Sequence, residues 1–339
     1  MEKVVGFNYH KTPFRFVSYY RDGQWSEGSL TGEETITLNE SACIFQYAQG
    51  CFEGLKAYQT VNGEIVCFRP DMNASRMAGS ARWMEMPAFP EDRFVEAVVE
   101  TVRANKEFVP PYGSGGSLYI RPFMIGTNPV LGVKPASEFE FRIFVSPVGA
   151  YFSGKSKALS LLVSDYDRAA PHGTGHIKAG LNYAMSLHAY SEAHRLGYDE
   201  NVYPDAGSRT YVEETGGANI LFVTKDGKIV TPKSDSILPS ITRRSLLDIA
   251  RDYLHLEVET RKIRLDELDS FVECGLCGTA AVISPVGKIT DHGKVTEFET
   301  DEKTGYGKIL GRLRQTLVDI QLGLEKAPEG WICKICDKD

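Results

Sequence analysis

Residues 176–218 run HIKAGLNYAMSLHAYSEAHRLGYDENVYPDAGSRTYVEETGGA. Near the start, Lys178 precedes the small pair Ala179-Gly180 and then Asn182-Tyr183; near the end, Glu213-Glu214 precede Thr215-Gly216-Gly217. The spacing predicts a helix over LNYAMSLHAYSEAHRL, ended by Gly197 in the left-handed conformation, then a turn and a strand. Such a layout can bring an amine and a carboxylate from distant positions into one pocket. A lysine that forms covalent bonds with carbonyl compounds must be partly desolvated near neutral pH, and small neighbours let a bulky partner approach it. A carboxylate at the end of a buried strand, ahead of the apolar run ILFV, needs a cationic partner. Taken alone, the lysine also fits a solvated surface charge and the acid pair a solvated face. The residues do not choose between Glu213 and Glu214.

The rest of the chain sets limits on the chemistry. Its 339 residues are too many for one ordinary core, so two domains are expected. Hydrophobic residues at 42% and charged residues at 24% fit a globular protein. A net charge of −7 argues against a binder of nucleic-acid phosphates. No apolar run approaches the roughly 18 residues needed to span a bilayer, and the start, MEKVVGFNYHKTPF, lacks the apolar core of a signal peptide. A cytoplasmic protein with no membrane partner is expected. The odd count of seven cysteines points to reduced thiols.

In order along the chain, Asp22-Gly23 and Val61-Asn62-Gly63-Glu64 mark hairpins between β-prone runs. Pro70-Asp71 opens a helix through about Trp83. A second helix from Glu91 carries Phe94, Ala97, Val98, Thr101 and Val102 at helical spacing. SLYIRPFMIG and EFEFRIFVSP follow as strands, the latter alternating as a half-buried strand should. The pattern lapses over 148–157. The domains expected are therefore a small N-terminal one, 1–147, a linker, 148–157, and a larger C-terminal one, 158–339. The second holds the strand ALSLLVSD, a Gly/Pro-rich loop, residues 176–218, a hairpin at Asp226-Gly227, a helix capped by Ser240, the strand GTAAVISPVGKIT, a last helix and a polar tail.

Other motifs carry weaker signals. Cys274-x-x-Cys277 and Cys333-x-x-Cys336 have zinc-ligand spacing, but buried thiols and an exposed tail are the plainer expectation, and no metal is expected. Gly149 to Ser156 matches the phosphate-loop pattern G-x-x-x-x-G-K-[ST]. That mechanism needs a following helix, whereas KALSLLVSDYD is β-like, so a linker is expected and a nucleotide hydrolase is the distant alternative. Ser240-Ile241-Thr242 at a helix start offers N–H donors and the helix dipole to a phosphate; Gly278-Thr279-Ala280 offers a hydroxyl among small residues, and Arg76 a charge. Tyr119 and Arg121 share one face of a strand, where the arginine needs an anion, either a salt-bridge partner or a substrate carboxylate. Tyr47 is core or pocket wall.

Together these segments resemble the branched-chain amino acid aminotransferases of the fold-type IV pyridoxal-phosphate enzymes. The matching runs are FEGLKAY (52–58), YIRPFMIGTNPVLGV (119–133), KAGLNYA (178–184), EETGGANILFV (213–223), LPSITRRSLLDIA (238–250) and CGTAAVISPVG (277–287), in the family's order over nearly the whole chain. The resemblance implies a two-domain α+β/α/β fold of the D-amino-acid-aminotransferase-like type, with a small α/β domain and a larger β-barrel-like one. It implies that Lys178 carries pyridoxal 5′-phosphate and shuttles the proton, that Glu214 partners the ring nitrogen, and that Tyr183 partners the ring's 3′ oxygen. Arg76, Ile241, Thr242 and Thr279 would hold the phosphate, and Tyr47, Tyr119, Arg121 and Ala280 would line the substrate pocket. The implied reaction transfers the amino group between leucine, isoleucine or valine and 2-oxoglutarate, forming glutamate, in a homodimer. Other members of the fold, D-amino-acid aminotransferase and aminodeoxychorismate lyase, lack the YIRP–GLKAY pairing. Three features depart from the family pattern: Gly217 where some members have a hydroxyl residue, Leu181 in place of a second glycine, and the CKIC tail.

Overall fold

The computed structural model describes residues 6–149 and 158–338. These fold into two compact units. The first is built from the chain before residue 150, Ile177–Gly180, and the chain from Ile320 onward. It contains β1 (Arg15–Arg21), β2 (Gln24–Trp25), β3 (Ser29–Thr31), α1 (Cys43–Tyr47), β4 (Gly50–Phe52), β5 (Leu55–Gln59), β6 (Glu64–Phe68), α2 (Pro70–Trp83), α3 (Glu91–Ala104), β7 (Ser117–Gly126) and β8 (Phe139–Val148). The hairpin signals act where expected: Asp22 and Gly23 take positive φ between β1 and β2, as does Gly63 between β5 and β6. Pro70 starts α2 at its first turn, where a missing N–H costs nothing. The apolar stripe of α3, Phe94, Ala97, Val98, Thr101 and Val102, is buried throughout. Alternation along β7 sends Leu118, Ile120 and Met124 into the core and leaves Tyr119 and Arg121 half-buried on the other face. By contrast β8, expected to be half-buried, is covered on both faces apart from Phe144.

The second unit holds β9 (Leu159–Val163), α4 (Gly180–Arg195), β10 (Glu200–Pro204), β11 (Val212–Thr215), β12 (Asn219–Thr224), β13 (Ile229–Pro232), α5 (Ile241–Asp252), β14 (Val258–Arg261), β15 (Phe271–Gly278), β16 (Val282–Asp291), β17 (Lys294–Glu297) and most of α6 (Lys308–Leu322). Its sheet runs β11-β10-β9-β16-β15-β12-β13-β14, with β17 on β16. Gly197 has φ +86° just past α4, and the Ser240 hydroxyl accepts the Arg243 N–H at 3.1 Å to cap α5.

The tail is not merely polar. β18 (Ile332–Asp337) pairs antiparallel with β6 and ends the first sheet, ordered β18-β6-β5-β7-β8-β1-β2 with β3 on β1 and β4 on β7. The division of the chain thus departs from a single cut at 148–157, because the tail and Ile177–Gly180, which carries Lys178, both pack with the first unit. Thr279 and Ala280 lie in the turn between β15 and β16 rather than in a strand. Cys274 and Cys277 are buried in β15, while Cys333 in β18 stands opposite Cys67 of β6, so the two CxxC pairs sit in different sheets. Of the phosphate-loop-like run, residues 150–156 lie outside the described residues; the first element after it, β9, is a strand. No helix among the described residues is long and apolar enough to cross a membrane.

Candidate active site

Lys178 is held by main-chain bonds. The Phe52 N–H donates to the Lys178 carbonyl at 3.0 Å, Cys51 and Ala179 form an antiparallel bridge, and the Lys178 N–H donates to Ser80 Oγ at 3.1 Å. Ser80 shares one stripe of α2 with Asn73 and Arg76, spaced at helical intervals. With the backbone fixed on both sides, the lysine side chain is aimed by the fold. Its Nζ lies 4.8 Å from the centre of the Phe52 ring. The guanidinium of Arg121 lies 4.9 Å from the same ring.

Arg121 donates to the Tyr119 hydroxyl at 3.2 Å. It forms no ion pair with any carboxylate among the described residues, and its buried Nε has no acceptor there. The salt-bridge alternative from the sequence is therefore not the one adopted. Phe7 packs edge-on against Tyr119 with ring centres 4.8 Å apart. The Tyr47 hydroxyl donates to the Leu131 carbonyl.

Arg76 meets Glu53, whose side chain is fully buried. Two guanidinium N–H groups reach the two carboxylate oxygens at 2.7 and 2.8 Å, and Asn73 adds a third donor at 2.7 Å. Burial pushes the Glu53 carboxyl up, but Arg76 and then Lys178 outweigh it and leave it below its usual range.

In the second unit, Glu213 and Glu214 alternate to opposite faces of β11 and both are buried. Their partners separate them. Glu213 accepts from the Ser234 hydroxyl at 2.5 Å. Glu214 pairs with Arg168 Nη2 at 2.7 Å, accepts the Leu238 N–H at 2.9 Å, and takes a donor from Asn219. So the cation that a buried carboxylate requires is supplied in part by the protein itself. One arginine does not offset the burial: the Glu214 carboxyl is pushed up to about 7, mainly by desolvation. A second cation at Glu214 would be stabilised there. Arg168 also bonds the carbonyls of Gly175 and Ser236, each at 2.7 Å, and its buried Nε has no acceptor among the described residues. The buried Asn219 Oδ1 and Ser236 Oγ are likewise without partners among the described residues.

At the start of α5, Ser240 takes the Arg243 N–H, while those of Ile241 and Thr242 have no acceptor among the described residues. The Thr279 hydroxyl has none either. Unpaired helix N-terminal donors are suited to a phosphate, and a doubly buried acid with spare electrostatic demand is suited to a protonated ring nitrogen, so these residues fit pyridoxal phosphate. Tyr183 is half-buried in the first turn of α4, and Ala280 lies beside Thr279 in the β15–β16 turn.

Four participants escaped the sequence reading. Arg168 follows two acids, Asp165 and Asp167, in SDYDRAAP and looks like a surface residue. Glu53 and Phe52 lie within the quoted FEGLKAY run without a role of their own; a lone acid inside CFEGL was the available signal. Phe7 gave none.

Residues 50–289 match the amino-transferase class IV family. A branched-chain-amino-acid aminotransferase of Haemophilus influenzae is 48% identical over 98% of this chain and 97% of its own length. The crystal structure of a branched-chain aminotransferase from Thermoproteus uzoniensis with norvaline superposes with a TM-score of 0.78 at 28% identity, covering 95% of this chain and 99% of that one. That of Thermobaculum terrenum in its pyridoxal-phosphate form gives 0.77 at 27%, covering 94% and 98%. With similarity that spans both units, this chain belongs to the class IV aminotransferases and, among them, to the branched-chain-amino-acid aminotransferase family.

Proposed function

We propose that this chain is a pyridoxal-phosphate-dependent aminotransferase that exchanges the amino group between L-leucine, L-isoleucine or L-valine and 2-oxoglutarate, by two half-reactions in alternation. The observation that supports this reading is the shared wall of Phe52: the amine of Lys178 and the guanidinium of Arg121, which has no acid partner among the described residues, both stand against one ring. A pocket that must take an aliphatic amino acid and then a dicarboxylate needs an apolar surface beside an unneutralised cation.

When bound, the cofactor supplies an electron sink for the carbon that carries the amino group. Lys178 would hold it covalently and, once released, move the proton at the substrate Cα. Glu214, steadied by Arg168, would keep a proton on the ring nitrogen, and Tyr183 would partner the ring oxygen. Arg76, the N–H groups of Ile241 and Thr242, and the Thr279 hydroxyl would hold the phosphate. Arg121 and Tyr119 would bind a substrate carboxylate, and Tyr47 and Ala280 would complete the pocket.

A homodimer is part of the proposal. Phe45 on α1 and Leu131 and Val133 in the neighbouring loop are 63%, 88% and 86% exposed, and the Tyr47–Leu131 and Ala42–Pro129 contacts hold these two segments together. Such an apolar patch fits a partner subunit. The seven cysteines, none in a disulfide, fit a cytoplasmic location. The test is a single-turnover panel on the loaded enzyme with L-leucine, L-isoleucine, L-valine, their D-enantiomers and L-glutamate. The three L-amino acids and glutamate should discharge the cofactor's visible band, Lys178→Ala should not, and discharge by the D-forms alone would overturn the reading.

A further inference from the structure

Glu53 has no part in the reaction as described, yet it is the most completely enclosed acid of the first unit. An isolated buried carboxylate is costly, and a buried ion pair is weak evidence of stabilisation by itself. Its contacts suggest what the charge is for. Arg76 Nε reaches Oε1 at 2.7 Å and Nη2 reaches Oε2 at 2.8 Å, so the guanidinium is gripped along one edge. Asn73 Nδ2 at 2.7 Å and the Gly54 N–H at 3.1 Å hold Oε2 in turn. Asn73, Arg76 and Ser80 lie on one stripe of α2; Ser80 fastens the Lys178 backbone, and Phe52, next to Glu53, fastens it again. A guanidinium held along its Nε–Nη2 edge has a single orientation, with its remaining donors directed away from the acid.

We propose that Glu53 is the positioning residue for Arg76: by clamping the guanidinium against α2 it presets the arginine for a phosphate monoester and ties that site to the strand that aims Lys178. The proposal rests on the cofactor assignment above and deepens it. Glu53 acts through geometry, since its own charge opposes that of an incoming phosphate.

The test compares apoprotein binding of pyridoxal phosphate, pyridoxal and inorganic phosphate by wild type, Glu53→Gln, Arg76→Ala and the double variant, with folding checked by circular dichroism. Glu53→Gln should weaken pyridoxal phosphate and inorganic phosphate about tenfold, as expected for loss of a charge-assisted clamp, and leave pyridoxal within about twofold. In the Arg76→Ala background it should add almost nothing. Asn73→Ala removes one tie on Glu53, leaves both charges, and should give the same selective loss at about threefold; it decides the matter if the Glu53 variants do not fold. Equal losses for pyridoxal and its phosphate, additive losses in the double variant, or tighter phosphate binding by Glu53→Gln would overturn the proposal. Wild-type apoprotein that binds none of these ligands would instead overturn the cofactor assignment.

Discussion

Replacing Glu214 by glutamine should stabilise the apoprotein while disabling the enzyme. In the folded chain the Glu214 carboxyl is pushed up to about 7 from an ordinary 4.5, with burial the leading cause and Arg168 opposing it. The native state therefore keeps a proton that the unfolded chain gives up, so stability is present at low pH and is lost as pH rises from about 4.5 through 7. At ~1.4 kcal/mol per pH unit, the loss from this residue reaches about 3 kcal/mol by pH 8. Glutamine keeps the shape and can still accept from Arg168 and the Leu238 N–H. Urea unfolding of both apoproteins from pH 5 to 8 should show a variant advantage of about 1 kcal/mol at pH 5 that grows to about 3 kcal/mol at pH 8. Glu213, also raised by burial, is present in both and cancels. The loaded variant should nevertheless transaminate far more slowly, because a neutral amide does not hold a proton on the ring nitrogen. Parallel stability curves across this range would refute the reasoning.

Arg121→Met should raise the KM for 2-oxoglutarate at least tenfold more than that for 2-oxo acids with aliphatic side chains, read from steady-state kinetics, since the lost cation has no acid of its own to strand. Gly54→Ala places a Cβ 2.1 Å from the Tyr119 hydroxyl; the displaced ring takes the Arg121 bond with it, and kcat/KM should fall on the order of 10²-fold with the fold retained by circular dichroism. Ser240→Ala removes the α5 cap and should cost about 1 kcal/mol in urea unfolding. Gly217→Ser meets nothing within 4 Å, so its stability should stay within ~0.5 kcal/mol of wild type, while the KM for L-leucine falls as the new hydroxyl reaches the substrate carboxylate.

Where local chemistry decides, the sequence was informative. The α3 stripe, the glycine turns at Gly23, Gly63 and Gly227, and the Ser240 cap each depend on neighbours a few residues away. The choice of Glu214 over Glu213 rested on the order of several motifs, because both acids are buried and they differ only in distant partners, Ser234 for Glu213 and Arg168 for Glu214. β18 was missed because ICKICD is short and mixed, and is a strand by virtue of an edge supplied by β6. The grouping of Ile177–Gly180 with the first unit was hidden for a similar reason: it rests on bonds from Lys178 to Phe52 and Ser80 that no local pattern encodes.

The position of β18 also bears on how the protein is made. Strands β5 to β8 and helices α2 and α3 can assemble once the first 150 residues have left the ribosome, but the outer edge of β6 waits for Ile332, which pairs with Phe68. About 260 residues separate the two, roughly 10 to 50 s of translation at ~5–20 residues per second. Through that interval the nascent chain carries a row of unpaired N–H and C=O groups, a template for strand addition by any neighbouring chain. Crowded polysomes and fast overexpression should therefore favour aggregates nucleated at Glu64–Phe68, and a chaperone that covers this one strand during synthesis would raise the yield of native protein.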